Sequence, residues 1–407
     1  MSSKFVLQQE DGTVEGGNAR GQYAVDLQMS RNDRIHVASG YGSVIAGGQF
    51  NIASSTASFI GGGYLNSNNG GYATITGGHS NIVTGSFQAI VGGISNSITS
   101  PFSTSSFIGG GENNSITAGA GQTNCVISGG AGNVASRGYA TISGGQSNTA
   151  STNTHATVVG GQSNTSSGTH SISGGLSSTA SGQRAIAFGA ATASGQFSLA
   201  IGDAVSSSGA KSIALGADSQ ATQSSSVAIG NAVFAQAENS FASGNRSFAY
   251  LLGQNSRANG RFVANGDAQQ SYLTARKSDT LNSAGTTVLS LDGTGTTNLI
   301  IPNANNRAWN VTVKWVAVCT ATGSGTTAVG DVAIATDSFM FKKVGGTSSI
   351  GILTNLQNSQ DATMAGATCS YAVGGSQDLQ ITFTAPASAN ATTFRVVAKV
   401  ELTEVAW

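Results

Sequence analysis

The sequence predicts an all-β chain in two parts, a solenoid of short parallel strands followed by an antiparallel β-sandwich. Three observations predict it. A bulky apolar residue stands three positions ahead of a glycine sixteen times between Ile45 and Val263, mostly every thirteen to sixteen residues. Large and small residues alternate strictly in later units such as Ser212-Ile213-Ala214-Leu215-Gly216. After about residue 280 this period ends, and longer runs of strand-forming residues are separated by Gly, Ser, Asn and Asp turns.

Fifty-seven glycines among abundant Ser, Thr, Asn and Ala are by themselves a disorder-like composition. The fixed period overrules that reading, because self-similarity at constant spacing marks stacked units that share one core. Charge is scarce and balanced, eighteen basic against eighteen acidic residues, and only Glu112, Arg137 and Arg184 interrupt the stretch from Ile35 to Ile201. This leaves no basic footprint for nucleic acid. No apolar run approaches a bilayer-spanning length, and the first thirty residues, with Lys4, Glu10, Asp11 and Glu15, lack a signal-peptide core. A chain that is neither exported nor membrane-inserted is expected. Cys125, Cys319 and Cys369 form an odd set without metal spacing and read as small buried hydrophobes; a Cys319–Cys369 bridge stays open.

Four segments follow. Residues 1–40 hold nine of the thirty-six charged residues, do not share the repeat, and are expected as a separate attachment piece. Residues 41–267 are the repeats, 268–283 a neck or linker, and 284–407 the sandwich. In the first nine units the residue before the landmark glycine is itself glycine, and an asparagine follows three positions later: Asn51, Asn66, Asn81, Asn96, Asn114, Asn133, Asn148 and Asn164, with Ser178 closing the series. The glycines supply positive φ for a tight corner, and the asparagines are expected to tolerate the left-handed conformation and to form an amide ladder from coil to coil. A ligand site is the lesser alternative. The long steps around Pro101–Phe102 and Ala118–Gln122 are expected as loops leaving the stack.

A coil of about fourteen residues holds two strands and two corners. With small Ser and Ala inside, the large residues form an exposed apolar stripe unless covered, and other copies of the chain are the direct cover. With the large residues inside, the roll is self-sufficient. Sequence alone leaves both open. In the last domain the expected strands are Thr286–Leu291, Asn298–Ile301, Trp309–Cys319, Val332–Val344, Thr368–Val373, Asp378–Thr384 and Thr392–Val405. Trp309, Val311, Val313 and Trp315 share one face, so both tryptophans are expected in the core rather than as a sugar platform, while Trp407 is open to either role.

Ser198-Leu-Ala-Ile-Gly202, Ser212-Ile-Ala-Leu-Gly216 and Ser226-Val-Ala-Ile-Gly230 resemble the head repeats of trimeric autotransporter adhesins (YadA-like), and the double-glycine units are similar to repeats in the same adhesins and in bacteriophage fibre proteins. The resemblance covers about 225 residues. It implies a left-handed parallel β-roll assembled as an intertwined homotrimer. The sequence departs from those adhesins in showing no signal sequence, no heptad stalk and no membrane-barrel anchor. These departures fit a bacteriophage tail fibre or tailspike made in the host cytoplasm and carried on the virion. Residues 1–40 are then expected to dock on tail or other virion proteins, and the last domain to bind a host glycan or protein receptor.

Recognition is expected on sandwich loops, with Ala321–Gly330, Gly345–Ser349 and Asn355–Ala367 as candidates. A polysaccharide-cleaving tailspike, a head or collar fibre and a cell-surface adhesin are the alternatives. Hydrolysis needs two carboxyl groups several ångströms apart. The repeats offer only Glu112, Asp203, Asp218, Glu238 and Asp267, of which Asp203 and Asp218 lie one coil apart and read as solvated turn residues. His36, His79, His155 and His170 are scattered, with His155 and His170 at similar coil positions where they stack or face solvent. No catalytic, cofactor-binding or metal-binding residue is assigned, no cofactor is expected, and the chain is expected not to be an enzyme.

Overall fold

The computed structural model describes residues 12–13, 17–99, 105–117, 119, 124–262, 264–294 and 306–406. The attachment residues 1–11 and 14–16, Pro101–Phe102, Asn298–Ile301 and Trp407 lie outside them, as does the Ala118–Gln122 addition apart from Gly119. The chain divides into two compact units, Met1–Asp203 and Ala204–Trp407.

The first unit is a parallel β-solenoid. Two-residue strands pair in unbroken register from coil to coil: Val44↔Phe59, Phe59↔Thr74, Thr74↔Ala89, Ala89↔Phe107 and onward to Thr157. A second column runs through Ile52↔Ser67, Ser67↔Ile82 and Ile82↔Ser97. The core is a file of fully buried side chains, Ile45, Ile60, Ile75, Ile90, Ile108, Ile127, Ile142 and Val158. Each coil alone buries almost nothing; stacking lets each isoleucine contact its counterparts above and below, worth about 1.5–3 kcal/mol per side chain.

Residues 24–30 are not a separate piece. Val25 and Asp26 pair with Val44 and Ile45, so Asp26 occupies the position where the isoleucine file would continue. Its carboxylate is buried and held by Arg31 Nη2 at 3.0 Å and Arg20 Nε at 3.6 Å. Gln28 does the same for the asparagines, accepting the Asn51 N–H at 2.9 Å and donating to the Asn51 carbonyl at 3.2 Å. The charge that hid this coil from the repeat pattern is its cap: terminal repeats need a polar end.

The asparagine ladder forms as expected. Asn66 donates from its backbone N–H and its Nδ2 to Asn51 Oδ1, at 3.0 and 3.2 Å, and the same pair recurs for Asn81 on Asn66. Ser178 N–H closes the series on Asn164 Oδ1 at 2.9 Å. The left-handed residue, however, is the one before each asparagine: Phe50, Leu65, Ser80, Ser95 and Asn113 all have φ between 54° and 58°. The buried asparagine is fixed by its hydrogen bonds, and the preceding exposed or half-exposed residue absorbs the strain of the corner, of order 1 kcal/mol.

The registers of the two repeat types differ by one residue. Thr157 pairs with Ile172 and Val158 with Ser173, yet Gly161 pairs with Gly175, with a bulge between. Three residues separate Val158 from its glycine and two separate Ser173 from its own. Up to Val158 the apolar residue three before the glycine therefore points inward, and the continuous apolar core ends there. From Ile172 to Phe241 that residue points outward, half buried, and Ser173, Ala187 and Ala200 take its inner place. The two alternatives that the spacing left open, large residues inside or outside, are thus both present among the described coils.

The second unit begins with coils of the later type. Ile213↔Val227↔Phe241 and Leu215↔Ile229 face outward over fully buried Ala214, Ala228 and Ala242. The last parallel strand, Asn255–Asn259, pairs antiparallel with Ala268–Leu281. Residues 268–283, expected as a neck, are therefore a fourteen-residue strand through Leu281. It was concealed because its inward positions include polar Gln269 and Ser271.

That strand pairs with Thr392–Ala406, which pairs with Arg307–Ala321, then Val332–Val344, then Thr354–Gln360, all antiparallel. A second sheet, in the order Thr286–Val288, Leu379–Thr384, Thr368–Val373, packs on it. The sandwich core holds Trp309 and Trp315, 1% and 2% exposed. Trp315 and Phe383 meet edge to face across the sheets at 6.1 Å. Cys125, Cys319 and Cys369 are buried and free, with no 319–369 bridge.

Candidate functional site

Two surfaces of the described residues stand out as candidates. The first is the outward face of the later coils, taken separately in each of the two units. In four of these coils two large residues stand two apart, Ile186 with Phe188, Leu199 with Ile201, Ile213 with Leu215, Val227 with Ile229, while alanine lies between them. Ile201 and Ile229 remain 41% and 38% exposed. Burial of apolar surface, with no polar partner to satisfy, is the chemistry such a face offers.

The second surface is the end of the sandwich far from the last coil. Arg307 Nη1 reaches the Gly266 carbonyl at 3.3 Å, which places residues 307, 343 and 406 at the near end. Leu281, Ala321, Val332 and Thr392 mark the far end. There the 321–330 loop joins the 361–367 segment and the 386–391 turn. Thr327 and Ser388 hydroxyls are 2.9 Å apart, Ser388 donates to the Thr363 carbonyl, and Thr363 donates to Asp331. Ala391 N–H reaches Asn282 Oδ1 at 2.9 Å, so a fourth turn closes the tip.

The three loops proposed from sequence are not one site. The 321–330 loop and the end of 355–367 meet at the tip. The 345–349 turn is at the opposite end, where Ser348 N–H donates to Gln377 Oε1 at 2.7 Å. The thirteen-residue strand between them is roughly 40 Å long. Asn355–Gln360 is an edge strand whose alternation is hidden because nearly every residue is exposed, and Ala362–Met364 is a single 3-10 turn.

Acidic residues act here as turn fasteners. Asp331 Oδ2 accepts the Ala328 N–H at 2.6 Å and the Thr363 hydroxyl, and these bonds, the hydroxyl first, hold its pKa below the usual carboxylate value. Asp361 Oδ2 accepts the Val332 N–H at 2.7 Å. Sequence reasoning passed over both, as it passed over Asp337, a buried carboxylate that accepts from Tyr371 at 2.6 Å, Asn355 at 2.9 Å and Trp315 at 3.4 Å. Burial and the bond to Asp337 push the Tyr371 phenol far above its ordinary pKa. An acid on the inward register of a strand, between apolar neighbours, was the available signal.

Glu112, Asp203, Asp218 and Glu238 are exposed; Asp203, expected in a turn, lies within the strand Leu199–Ser207, and Asp218 has a left-handed φ of 50°. Asp267 is buried, accepting the Phe262 and Ala264 N–H groups at 2.9 and 2.6 Å. His79 stacks on Tyr64 at 5.1 Å, and His155 and His170 stack on each other at 4.6 Å with Tyr139 below. His36 is buried beside the charged cap. Among the described residues no three His, Cys, Asp or Glu side chains converge as a metal set, and no helix is long and apolar enough to cross a membrane.

Residues 166–191, 180–204 and 207–232 match the YadA head domain repeat. These segments lie on the later coils, from Ser166 to Ala232. No curated protein matches. Among solved structures, the tailspike protein of Acinetobacter phage vB_ApiP_P1 aligns over 91% of this chain and 73% of its own, with 8% identity and a TM-score of 0.26. The tailspike gp49 of Acinetobacter baumannii bacteriophage Fri1, a capsular polysaccharide depolymerase, aligns over 95% and 69%, with 9% identity and a TM-score of 0.25. The tailspike of Acinetobacter baumannii phage AM24 aligns over 95% and 62%, with 9% identity and a TM-score of 0.21.

Proposed function

We propose that this chain is a homotrimeric bacteriophage fibre, attached to the virion by the residues ahead of the Val25–Asp26 coil and adsorbing to a host surface receptor through the sandwich that begins with strand Ala268–Leu281, with the repeats as a stiff spacer. One observation carries the reading: the later coils turn paired large apolar residues outward over an interior of alanine and serine. A coil so built gains little by folding alone. Completing the burial of Ile186, Phe188, Leu199, Ile201, Ile213, Leu215, Val227 and Ile229 adds about 1 kcal/mol each, taking half of the usual full-burial value. About 8 kcal/mol per chain suffices for obligate assembly, and the YadA head repeats favour three copies.

The host-facing role is supported by the tip, where four turns gather on a rigid sandwich, the usual arrangement for recognition. Sedimentation equilibrium of the purified protein tests the assembly and is expected to give three times the chain mass; a stable single-chain species would sink it. Electron microscopy of particles with labelled protein tests the location, and labelling on the head would replace the tail assignment.

The proposed role is adhesive, not hydrolytic. The tip acids Asp331 and Asp361 are committed to backbone donors. A fall in viscosity of host polysaccharide on adding the protein would reverse this assignment.

A further inference from the structure

We infer that the outward face of the larger sandwich sheet binds an acidic polysaccharide, with Lys314 and Lys399 receiving a sugar carboxylate and Val316 and Val397 the ring. This rests on the host-contact reading above and names the receptor chemistry.

The register brings the residues together. Lys314 lies directly opposite Lys399, and Val316 opposite Val397 in the next outward row. Arg276 pairs with Val397, and Ile334 with Val316, so the two valines are flanked on one side by a guanidinium and on the other by a further apolar residue. Arg395 follows one row on. Over the outward positions of the three strands 268–281, 307–321 and 392–406 there are four cations, Arg276, Lys314, Arg395 and Lys399, and one carboxylate, Glu401.

Two ammonium groups directly opposed on one sheet face repel. Glu401 offsets part of this, accepting from Lys399 Nζ at 3.0 Å and from Lys314 Nζ at 3.4 Å, and Lys399 also sits 4.9 Å from the Tyr272 ring centre. One carboxylate between two ammoniums leaves a net positive charge, and both lysines stay 53% exposed. Arg276 gives a hydrogen bond to the Asp292 carbonyl, while the Asp292 carboxylate is occupied by the Ser290 and Thr294 hydroxyls.

Lys314, Val316, Ile334, Thr336, Gln357, Val397 and Lys399 line a depression of about 340 Å³. That volume admits a sugar unit. The valines and isoleucine offer an apolar floor for the C–H face of a pyranose, the lysines a second carboxylate site beside Glu401, and Thr336 and Gln357 partners for hydroxyls. Apolar floor and excess positive charge together select a uronate-type polymer over a neutral one.

The test titrates the full-length protein with polygalacturonate and with its fully methyl-esterified form, which keeps the ring and loses the charge. Binding of the acid form alone is expected, weakening as salt rises from roughly 50 to 500 mM because exposed charges are screened. The double variant Lys314→Ala/Lys399→Ala is expected to bind at least tenfold more weakly. Lys314→Arg/Lys399→Arg, which keeps the charge and guards against misfolding, is expected to retain binding. Equal binding of both polymers, or undiminished binding by the alanine variant, overturns the inference. A changed sedimentation coefficient in the alanine variant also overturns it, making the face a contact between copies. Adsorption to susceptible cells is measured in parallel. Adsorption unaffected by the alanine pair defeats the acidic-glycan site and leaves host contact standing, whereas no adsorption by wild type alongside intact polygalacturonate binding defeats host contact and leaves the site.

Discussion

Adjacent glycines in one corner should respond to alanine in opposite ways. Gly78 has φ +94°, and a Cβ there would lie 2.2 Å from the Gly93 carbonyl oxygen and 2.6 Å from Asn81 Nδ2. Gly77 has an ordinary φ, and a Cβ there meets nothing nearer than the Gly62 oxygen at 3.9 Å. Gly78→Ala adds about 1–2 kcal/mol for a left-handed alanine. The backbone of the next coil must also retreat, losing the Asn81 Nδ2 bond to the Gly93 carbonyl and the His79 N–H bond to the same oxygen, now 3.0 and 2.9 Å. At about 1 kcal/mol each the sum is roughly 3–4 kcal/mol per chain. Gly77→Ala should be neutral or stabilise by about 0.5 kcal/mol, through a less flexible unfolded chain. Repeat arrays lose all-or-none unfolding, so local hydrogen exchange is the proper assay. Protection of the His79 amide should fall by two to three orders of magnitude in Gly78→Ala, taking about 1.4 kcal/mol per decade, and stay within a few-fold in Gly77→Ala. Equal losses in the two variants would refute the stacked-corner geometry.

Asn96→Ala removes partly buried donor bonds to the Gly92 and Gly111 carbonyls and the buried acceptor for Asn114, and is expected to lower hydrogen-exchange protection of the Asn114 amide by roughly two orders of magnitude, more than a surface Asn→Ala change. Ile213→Ser with Leu215→Ser alters the outward face alone and is expected to raise the concentration at which the oligomer dissociates by at least tenfold, with little change in circular dichroism once assembled; unchanged sedimentation refutes the shared-face account. Burial, foremost, lowers the pKa of His36 below 6.5, against the opposing charge of Asp33, and its Nδ1 accepts the Asp33 N–H at 3.1 Å. Because the folded value is depressed, the neutral ring's contribution is present above pH 6.5 and is lost as pH falls through the folded value. Exchange of the Asn51 amide should accelerate over that window, and His36→Gln should remove the pH dependence.

The asparagine ladder, the core positions of Trp309 and Trp315 and the stacking of His155 on His170 were legible because each follows from periodicity: side chains repeated at one coil position must meet. The first coil was not, since Asp26 and Gln28 stand in for isoleucine and asparagine and share neither size nor polarity with both. The strand Ala268–Leu281 escaped for a related reason, its inward Gln269 and Ser271 breaking the alternation on which strands are read.

Spacing alone determined that the chain stacks, where its corners fall and which residues form ladders, because these depend only on distance along the chain. It could not determine which way a side chain points. Val158 and Ile172 stand at the same distance from their glycines, yet the bulge before Gly161 sends one inward and the other outward. In a strand a shift of one residue exchanges the two faces. Only the pairing of one coil with the next sets that shift, and with it which coils hold their own core and which turn it toward a partner.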